Sequence, residues 1–301
     1  MEKQFVLISD SSCDLPVELA KEKEVRVVPF YVTFDGEQYY KEVAEMSLEE
    51  FFDRVIKDPD TIPKTSMPSI QDFVDAFVPF VKNGEKVVCI CISTKFSGSY
   101  DSARNARELV LEEYPDAYIA VIDARVNTVL QADFVLEAAR LRDAGVSPEE
   151  SVKRLEEIRE SGRIFFTVGN LDYLIAGGRI GKVASVAGTI LGLRPVITLK
   201  EGEIFASGVG RSRRSTLSKC VELLVKYVKE NNAAPEDWVL DIGYGADYEE
   251  ALQFREQIVS ALKDADFRIE KDQIPIFRIG AAIAVHTGPY ALGVTILKKA
   301  I

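Results

Sequence analysis

The chain has 301 residues, of which 47% are hydrophobic and 28% charged, a balance typical of a globular protein that folds throughout its length. This length exceeds one average domain, so two domains of about 150 residues are expected. The formal net charge of −11 argues against a nucleic-acid-binding protein, which needs a basic face for phosphate contacts.

No apolar run reaches the roughly 20 residues of a membrane-spanning helix, so we expect no stable membrane insertion. The apolar run at the N-terminus is too short for a signal peptide. The four cysteines, Cys13, Cys89, Cys91 and Cys220, are scattered and lack the spacing of a disulfide framework. Cys89 and Cys91 alternate along one strand, where we expect small buried hydrophobes. These features favour the cytoplasm.

The first half of the chain alternates between predicted strands and predicted helices. The strands are expected at 4–9, 25–34, 86–93 and 117–123. The helices are expected at 16–23, 48–57, 69–81, from Ser97 onward, 126–143 and 148–160. The segment after Asp35-Gly36 is expected to form a hairpin. This alternation predicts an N-terminal α/β domain, residues 1–162, with a parallel sheet covered on both faces.

The order of elements changes after Gly162. Strands are predicted at 163–168, 194–199, 237–244, 267–272 and 291–297, and helices at 212–229 and 247–262. The turn at Glu201-Gly202 predicts an antiparallel hairpin between 194–199 and the segment that follows. We therefore expect a C-terminal mixed-sheet α+β domain over residues 163–301.

Two hydroxyl-rich loops precede predicted helices and could bind an anion. Ser93–Tyr100 follows a strand, and its hydroxyls meet the positive end of a helix dipole, which favours a carboxylate or phosphate oxygen. The alternative is that Ser97 only caps its helix. Thr65-Ser66-Met67-Pro68-Ser69 is similar, and Ser69 alone would suffice as the cap. Thr65 and Ser66 then remain for a ligand.

Two groups of cations could contact a partner or a phosphate. Gly177-Gly178-Arg179-Ile180-Gly181-Lys182 places Arg179 in a glycine-rich loop, where it could bind an oxyanion or an acidic protein surface, or simply be solvated. Arg211 and its neighbours stand at the start of a helix, where the dipole disfavours cations. They could dock an acidic partner or a phosphate, or form a solvated basic turn.

Metal and hydrolase chemistry have little support in the sequence. The chain has one histidine, His286, and neither an HExxH motif nor a cysteine pair with zinc spacing. The Gly-x-Ser-x-Gly elbow of serine hydrolases is absent, because Lys95 stands where its first glycine should be. An acyl hydrolase or phosphotransferase that uses Ser97 and His286 remains the alternative function.

Five motifs resemble, in their order along the whole chain, those of the DegV family: Ser9-Asp10-Ser11-Ser12-Cys13-Asp14-Leu15-Pro16, Thr65-Ser66-Met67-Pro68-Ser69, Ile92–Tyr100, Gly177-Gly178-Arg179-Ile180 and His286-Thr287-Gly288-Pro289. The resemblance implies a two-domain α/β protein that binds a fatty acid. It also implies a link to the B subunits of bacterial fatty-acid kinase, which present the ligand carboxylate to a separate ATP-using subunit. We therefore expect a monomeric carrier with no cofactor, no metal and no catalysis of its own.

The resemblance also assigns roles to residues. It implies that the hydroxyls of Thr65 and Ser97 bind the carboxylate with His286 nearby, and that Arg179 lies where the kinase subunit engages. We add neighbouring residues of the same loops, Ser66 and Ser93 as carboxylate contacts and Gly98, Thr287 and Gly288 as pocket or gate, and Arg211 as a partner or phosphate contact.

The sequence departs from the family pattern in two places. Residues 124–131 lack the glycines that the family usually has after this strand, and Tyr290 replaces a glycine after the HTGP motif. Bulkier side chains there could narrow the pocket. Two apolar stretches, Val183–Leu193 and Ile279–Val285, could line an acyl tunnel or could be core helices.

Overall fold

A computed structural model describes residues 3–184 and 194–301. Its first seven strands are β1 (Val6–Asp10), β2 (Val25–Val28), β3 (Tyr31–Thr33), β4 (Tyr40–Lys41), β5 (Lys64–Ser66), β6 (Val87–Cys91) and β7 (Ile119–Asp123). The helices of this half are α1 (Val17–Glu22), α2 (Leu48–Lys57), α3 (Ile70–Val81), α4 (Ser99–Glu113), α5 (Thr128–Asp143) and α6 (Pro148–Ile158).

The first sheet is parallel and has the strand order β2-β1-β6-β7. Its side chains alternate between two faces because successive residues of a strand point in opposite directions. Leu7 and Ile90 pack with α5 on one face, whereas Ile8 and Cys89 pack with α3 and α4 on the other. All five residues of β6 are buried, so a continuous apolar run is what this central strand requires.

The second half contains α7 (Asp172–Ala176), α8 (Arg213–Glu230), α9 (Tyr248–Lys263) and α10 (Ala281–Thr287). Its strands are β8 (Arg163–Thr167), β9 (Arg194–Lys200), β10 (Glu203–Gly210), β11 (Trp238–Val239), β12 (Ile242–Tyr244), β13 (Ile276–Arg278) and β14 (Leu292–Lys298). They form a mixed sheet of order β10-β9-β8-β14-β12-β13, in which β11 also pairs with β14 and only β12–β13 is parallel. The predicted α/β fold class and the hairpin at Glu201-Gly202 are confirmed.

Three predicted strands differ from the structure. The strand expected at 25–34 is broken at Pro29, which lacks an N–H for the ladder, so β2 joins the parallel sheet and β3 joins a small antiparallel sheet with β4 and β5. The strand expected at 237–244 is interrupted because the N–H of Asp241 donates to the Thr295 hydroxyl. The strand expected at 267–272 is wrong. A side-chain hydrogen bond between Gln273 and Glu270 closes a 3₁₀ turn there, and the strand lies at Ile276–Arg278.

One large core cluster contains residues of both halves, from Leu7 in β1 to Leu297 in β14. The boundary near residue 162 therefore stays a prediction. Among the helices of the described part of the chain, none has both the length and the apolar character that a membrane crossing requires.

Candidate functional site

A cavity lies between the two sheets. On one side it is lined by residues that follow the carboxyl ends of β1, β6 and β7, where ligands of parallel sheets commonly bind. On the other side it is lined by apolar residues of the second sheet and its neighbours, including Ile164, Phe166, Leu199, Ile204, Ile279, Ile283 and Leu292. Three residues of the apolar stretch 279–285, namely Ile279, Ala282 and Ile283, lie in this lining. The stretch 183–193 lies outside the described residues except for Val183, which is buried, and Ala184.

The polar lining comes from loops that are far apart in the sequence. Thr65, Ser97, Gly98, Arg179 and His286 all line the cavity, as does Thr287. Within the described residues Arg179 is the one charged side chain of this lining. The cavity therefore has a polar, cationic region and a larger apolar region, which is the pattern required by an amphipathic anion.

Thr65 and His286 form the centre of the polar region. Thr65 lies in β5, which pairs with β3 through Val32 and thereby fixes the direction of the TSMPS loop. His286 lies in the last turn of α10, and its Nε2 atom is 3.2 Å from the Thr65 Oγ1 atom. The two residues are 221 positions apart, so only the tertiary fold brings them together.

The imidazole of His286 is neutral at physiological pH. Burial, followed by the positive charge of Arg179, lowers its pKa to about 4. The Nδ1 atom is buried and has no hydrogen-bond partner among the described residues. A buried N–H without a partner costs more than a buried lone pair, so the proton belongs on Nε2, which donates to Thr65 Oγ1. The Thr65 hydroxyl then keeps its own hydrogen for a ligand.

Two glycines allow the polar loops to approach each other. A Cβ atom on Gly177 would collide with the Nδ1 atom of His286, so this glycine makes room for the imidazole. A Cβ on Gly98 would lie 2.8 Å from the Met67 sulfur, so Gly98 lets the SGS turn contact the TSMPS loop. The approach at Gly177 is too close for any residue with a side chain, because the largely buried ring cannot move away, whereas at Gly98 the exposed Met67 side chain would have to shift.

Ser97 keeps a free hydroxyl hydrogen. Its Oγ accepts the backbone N–H of Ser99 at 3.2 Å, but Gly98, not Ser97, occupies the N-cap of α4. None of the described residues accepts the Ser97 O–H. The first N–H groups of α4 also lack partners within the helix and carry its positive dipole end. Ser97 is therefore suited to donate to a carboxylate.

Arg179 closes the polar region from the α7 side. Its guanidinium donates to the carbonyl oxygen of Phe96, at 3.1 Å from Nη2 and 3.3 Å from Nε, and to the Gly177 carbonyl at 2.6 Å from Nη1. The side chain is nevertheless exposed. From this position its positive charge can attract an anion into the cavity.

Four predicted site residues lie elsewhere. Ser66 is exposed and pairs with Tyr31 in the small sheet. Ser93 is fully buried, and its hydroxyl donates to the Gly202 carbonyl oxygen at 2.8 Å, which joins the first sheet to the β9–β10 hairpin. Gly288 packs against the Tyr173 ring and lines a neighbouring pocket, and Arg211 is exposed and lines neither pocket. As placed, these four do not contact the cavity.

Among the arginines that follow Arg211, Arg213 has a structural role. Arg213 forms an ion pair with Glu250 of α9, with 2.7 Å between Nη2 and Oε2. Ser212, not an arginine, caps α8 through the backbone N–H of Ser215. The unfavourable placement of Arg213 at a helix start is thus offset by a carboxylate from the next helix.

The sequence did not reveal how completely Asp10 organises the site. Its buried carboxylate accepts hydrogen bonds from the side chains of Ser12, Ser99 and Gln131 and from the backbone of Ile92. These bonds tie together the segments that follow β1 and β6 and helix α5. Burial raises the pKa of Asp10, and the four hydrogen bonds oppose that rise. The aspartate at the carboxyl end of β1, followed by serines, was the feature of the sequence from which this role could have been inferred.

A second buried carboxylate supports the histidine helix. Glu42 accepts the Ala282 N–H at 3.0 Å in the first turn of α10 and also accepts the Ser11 hydroxyl. Burial raises its pKa. Because α10 is short, fixing its first turn also fixes His286 in its last turn.

Comparison with known proteins explains this arrangement of loops. The model of the DegV family matches residues 4–299. The chain belongs to the DegV family. A DegV domain-containing protein of Clostridium perfringens is 30% identical, and the match covers 97% of this chain and 98% of that protein.

Solved DegV-like structures have the same fold. A stearic-acid-binding protein from Eubacterium ventriosum superposes with a TM-score of 0.92 at 43% identity, covering 98% of this chain and 99% of its own. A DegV protein from Thermus thermophilus, described by its fatty-acid binding, has a TM-score of 0.85 at 29% identity, covering 98% and 99%. The predicted family is confirmed by these matches.

The polar region of this DegV protein does not form a hydrolase triad. A Ser-His-acid triad needs a carboxylate on the histidine nitrogen opposite the serine. In residues 3–184 and 194–301, His286 contacts the Thr65 hydroxyl through Nε2 and has no partner on Nδ1. The same residues contain no group of three or more His, Cys, Asp or Glu side chains that could hold a metal ion.

Proposed function

We propose that this DegV protein binds a long-chain fatty acid in the cytoplasm, without catalysis of its own, and presents the carboxylate to an ATP-dependent fatty-acid kinase subunit. The carboxylate accepts hydrogen bonds from Thr65 and Ser97 beside His286, and the acyl chain occupies the apolar region. The observation that carries the proposal is the free donor hydrogens of Thr65 and Ser97 at the polar side of an apolar cavity. The fatty-acid ligands of the Eubacterium ventriosum and Thermus thermophilus relatives support it.

The energetics favour a lipid with an ionised head group. Each charge-assisted hydrogen bond contributes about 1.5 to 3 kcal/mol, and Arg179 adds a favourable field for an anion. Burying about 15 methylenes contributes more than about 10 kcal/mol before ordering and association costs are subtracted. The acyl chain of the ligand therefore supplies most of the binding affinity, and the polar region sets the orientation of the ligand.

Native mass spectrometry of the purified protein tests the binding step. We expect a mass increment equal to one fatty acid, either retained from the expression host or added as palmitate or oleate. A protein that carries no fatty acid and binds neither added ligand would contradict the proposal. Turnover of an acyl ester by the protein alone, abolished by Ser97→Ala, would instead support the hydrolase alternative.

The partner step has its own test. Arg179 is exposed beside the polar region, so Arg179→Ala should weaken capture of a fatty-acid kinase A subunit and lower acyl-phosphate formation in the reconstituted system. Lys226→Ala removes an exposed cation of α8 outside both pockets and serves as the control. Equal capture of the two variants would remove Arg179 from the docking surface.

A further inference from the structure

Asn127 occupies a helix-capping position without capping the helix. It is the N-cap residue of the 16-residue helix α5 and has the extended backbone conformation that this position requires. An asparagine there normally accepts a hydrogen bond from the first turn of the helix. Its side chain makes no such bond, and the residue lines the same cavity as Thr65 and Ser97.

The backbone on both sides of Asn127 is strained. Arg125 has a φ of 54° and Thr128 a φ of 51°, in the left-handed region that non-glycine residues seldom adopt and that β-branched residues such as threonine adopt least. Such conformations persist only where surrounding contacts impose them, and they are concentrated at binding sites. The segment is therefore held in one shape at an energetic cost.

Several hydrogen bonds impose this shape. The Asp123 carboxylate accepts the Arg125 N–H at 2.9 Å, and the Val126 carbonyl accepts the Ser93 N–H at 3.0 Å. The Thr128 hydroxyl donates to the Asp14 carboxylate at 2.5 Å. Every neighbour of Asn127 is thus anchored, whereas none of the described residues hydrogen-bonds its carboxamide.

An amide without a protein partner at the wall of a cavity favours a polar partner from the ligand. A methylene chain against this carboxamide would leave two N–H donors unsatisfied, which is costly, whereas a carboxylate accepts them. The position also fits the head group, because Asn127 follows β7 and Ser97 follows the adjacent strand β6 at the same edge of the sheet.

We infer that Asn127 is an additional carboxylate-binding residue, whose side-chain N–H donates to the ligand head group together with Thr65 and Ser97. This inference rests on the proposed fatty-acid function and extends it to a residue outside the recognised motifs. It also gives a role to the strained 125–128 segment, which orients the carboxamide toward the ligand.

The test compares two ligands that differ only in the head group. Palmitate and 1-hexadecanol are titrated against the wild type, Asn127→Asp and Asn83→Asp, an exposed turn residue that undergoes the same change in charge. Asn127→Asp replaces the donor by a negative group of the same shape. We expect palmitate affinity to fall by about tenfold or more and hexadecanol affinity to change by less than about threefold. Asn83→Asp should bind both ligands like the wild type.

Two results would overturn the inference alone. Unchanged palmitate affinity in Asn127→Asp would show that Asn127 does not contact the head group. Equal losses of affinity for palmitate and hexadecanol would show that Asn127 acts in the acyl-chain region of the cavity or in folding. Asn127→Ala, which adds no charge, should reproduce the palmitate-selective loss if Asn127→Asp is unstable. A wild type that binds no palmitate would overturn the proposed function itself, together with the inference.

Discussion

The hydroxyl of Thr65 lies 3.2 Å from the Nε2 atom of His286, and this contact joins the small antiparallel sheet to the last turn of α10. Because His286 is neutral and donates from Nε2, the Thr65 hydrogen is directed away from the ring and into the cavity. The pair thus acts as one oriented donor.

Thr65→Val should weaken fatty-acid binding by roughly 10- to 100-fold, because valine keeps the volume but loses a charge-assisted hydrogen bond. The neighbouring substitution Ser66→Ala removes an exposed hydroxyl of the same loop that does not line the cavity. Displacement of a fluorescent fatty acid measures both affinities. Equal affinities of the two variants would contradict the assignment of Thr65.

The single histidine can be observed directly by NMR, because no other imidazole contributes a signal. Its Cε1 proton should titrate with a midpoint near pH 4, and its nitrogen shifts should show the Nε2–H tautomer at pH 7. Arg179→Ala should move the midpoint upward, because the positive charge of Arg179 disfavours a second cation nearby. A midpoint at the ordinary histidine value in the ligand-free protein would show that the ring is solvated.

Gly177→Ala should weaken ligand binding, because the new Cβ collides with His286 and displaces the ring from Thr65. Gly178→Ala is a matched control. Its φ of 67° costs about 1 kcal/mol when a side chain is added, but no atom lies within 4 Å of the new Cβ. We expect both variants to have a lower melting temperature and only Gly177→Ala to lose fatty-acid affinity. Loss of affinity in both would point to general destabilisation of this loop.

Asp241 should make folding stability depend on pH between about 4 and 6. Burial raises its pKa to about 6, and a side-chain hydrogen bond with the buried Asp133 carboxyl group, whose own pKa burial raises well above its ordinary value, opposes part of that rise. The folded protein therefore holds a proton that the unfolded chain releases at its ordinary pKa near 4, so this stabilising contribution is complete below about pH 4 and is lost as the pH rises through about 6.

Asp241→Asn removes that titration. Relative to the wild type, its free energy of unfolding should rise between pH 4 and pH 8 by an amount on the order of 2 kcal/mol. Thermal and urea unfolding across this range measure the difference, and Asp237→Asn, at an exposed carboxylate, is the control. Parallel pH profiles of the wild type and Asp241→Asn would contradict the prediction.

Much of the fold follows from local patterns in the sequence. The helix predicted at 48–57 has those bounds in the structure, because Ser47 accepts the Glu50 N–H and buried Phe51 and Phe52 mark one face. The strand at 237–244 could not be predicted correctly, because the Thr295 hydroxyl that interrupts it lies on a different strand. Local propensity fails where a distant side chain competes for the backbone.

The candidate site shows the same division. Loop composition pointed to the hydroxyl-rich loops that contain Thr65 and Ser97, but it could not show that the hydroxyl of the neighbouring Ser93 donates to the Gly202 carbonyl oxygen of a distant hairpin. Composition also gave no sign of Asn127, because an asparagine before a helix resembles an ordinary cap. Whether a hydroxyl or amide is available to a ligand depends on its tertiary neighbours, which short-range patterns do not contain.

The four hydrogen bonds to Asp10 have a thermodynamic consequence for the whole polar region. Ser12, Ser99 and Gln131 share one acceptor group although they belong to three separate segments. Removing any one donor changes the strength of the bonds that the others make, so their free-energy effects will not sum. Double-mutant cycles among these positions should therefore yield sizeable coupling energies, so the effect of a substitution at one of them depends on which residues occupy the other two.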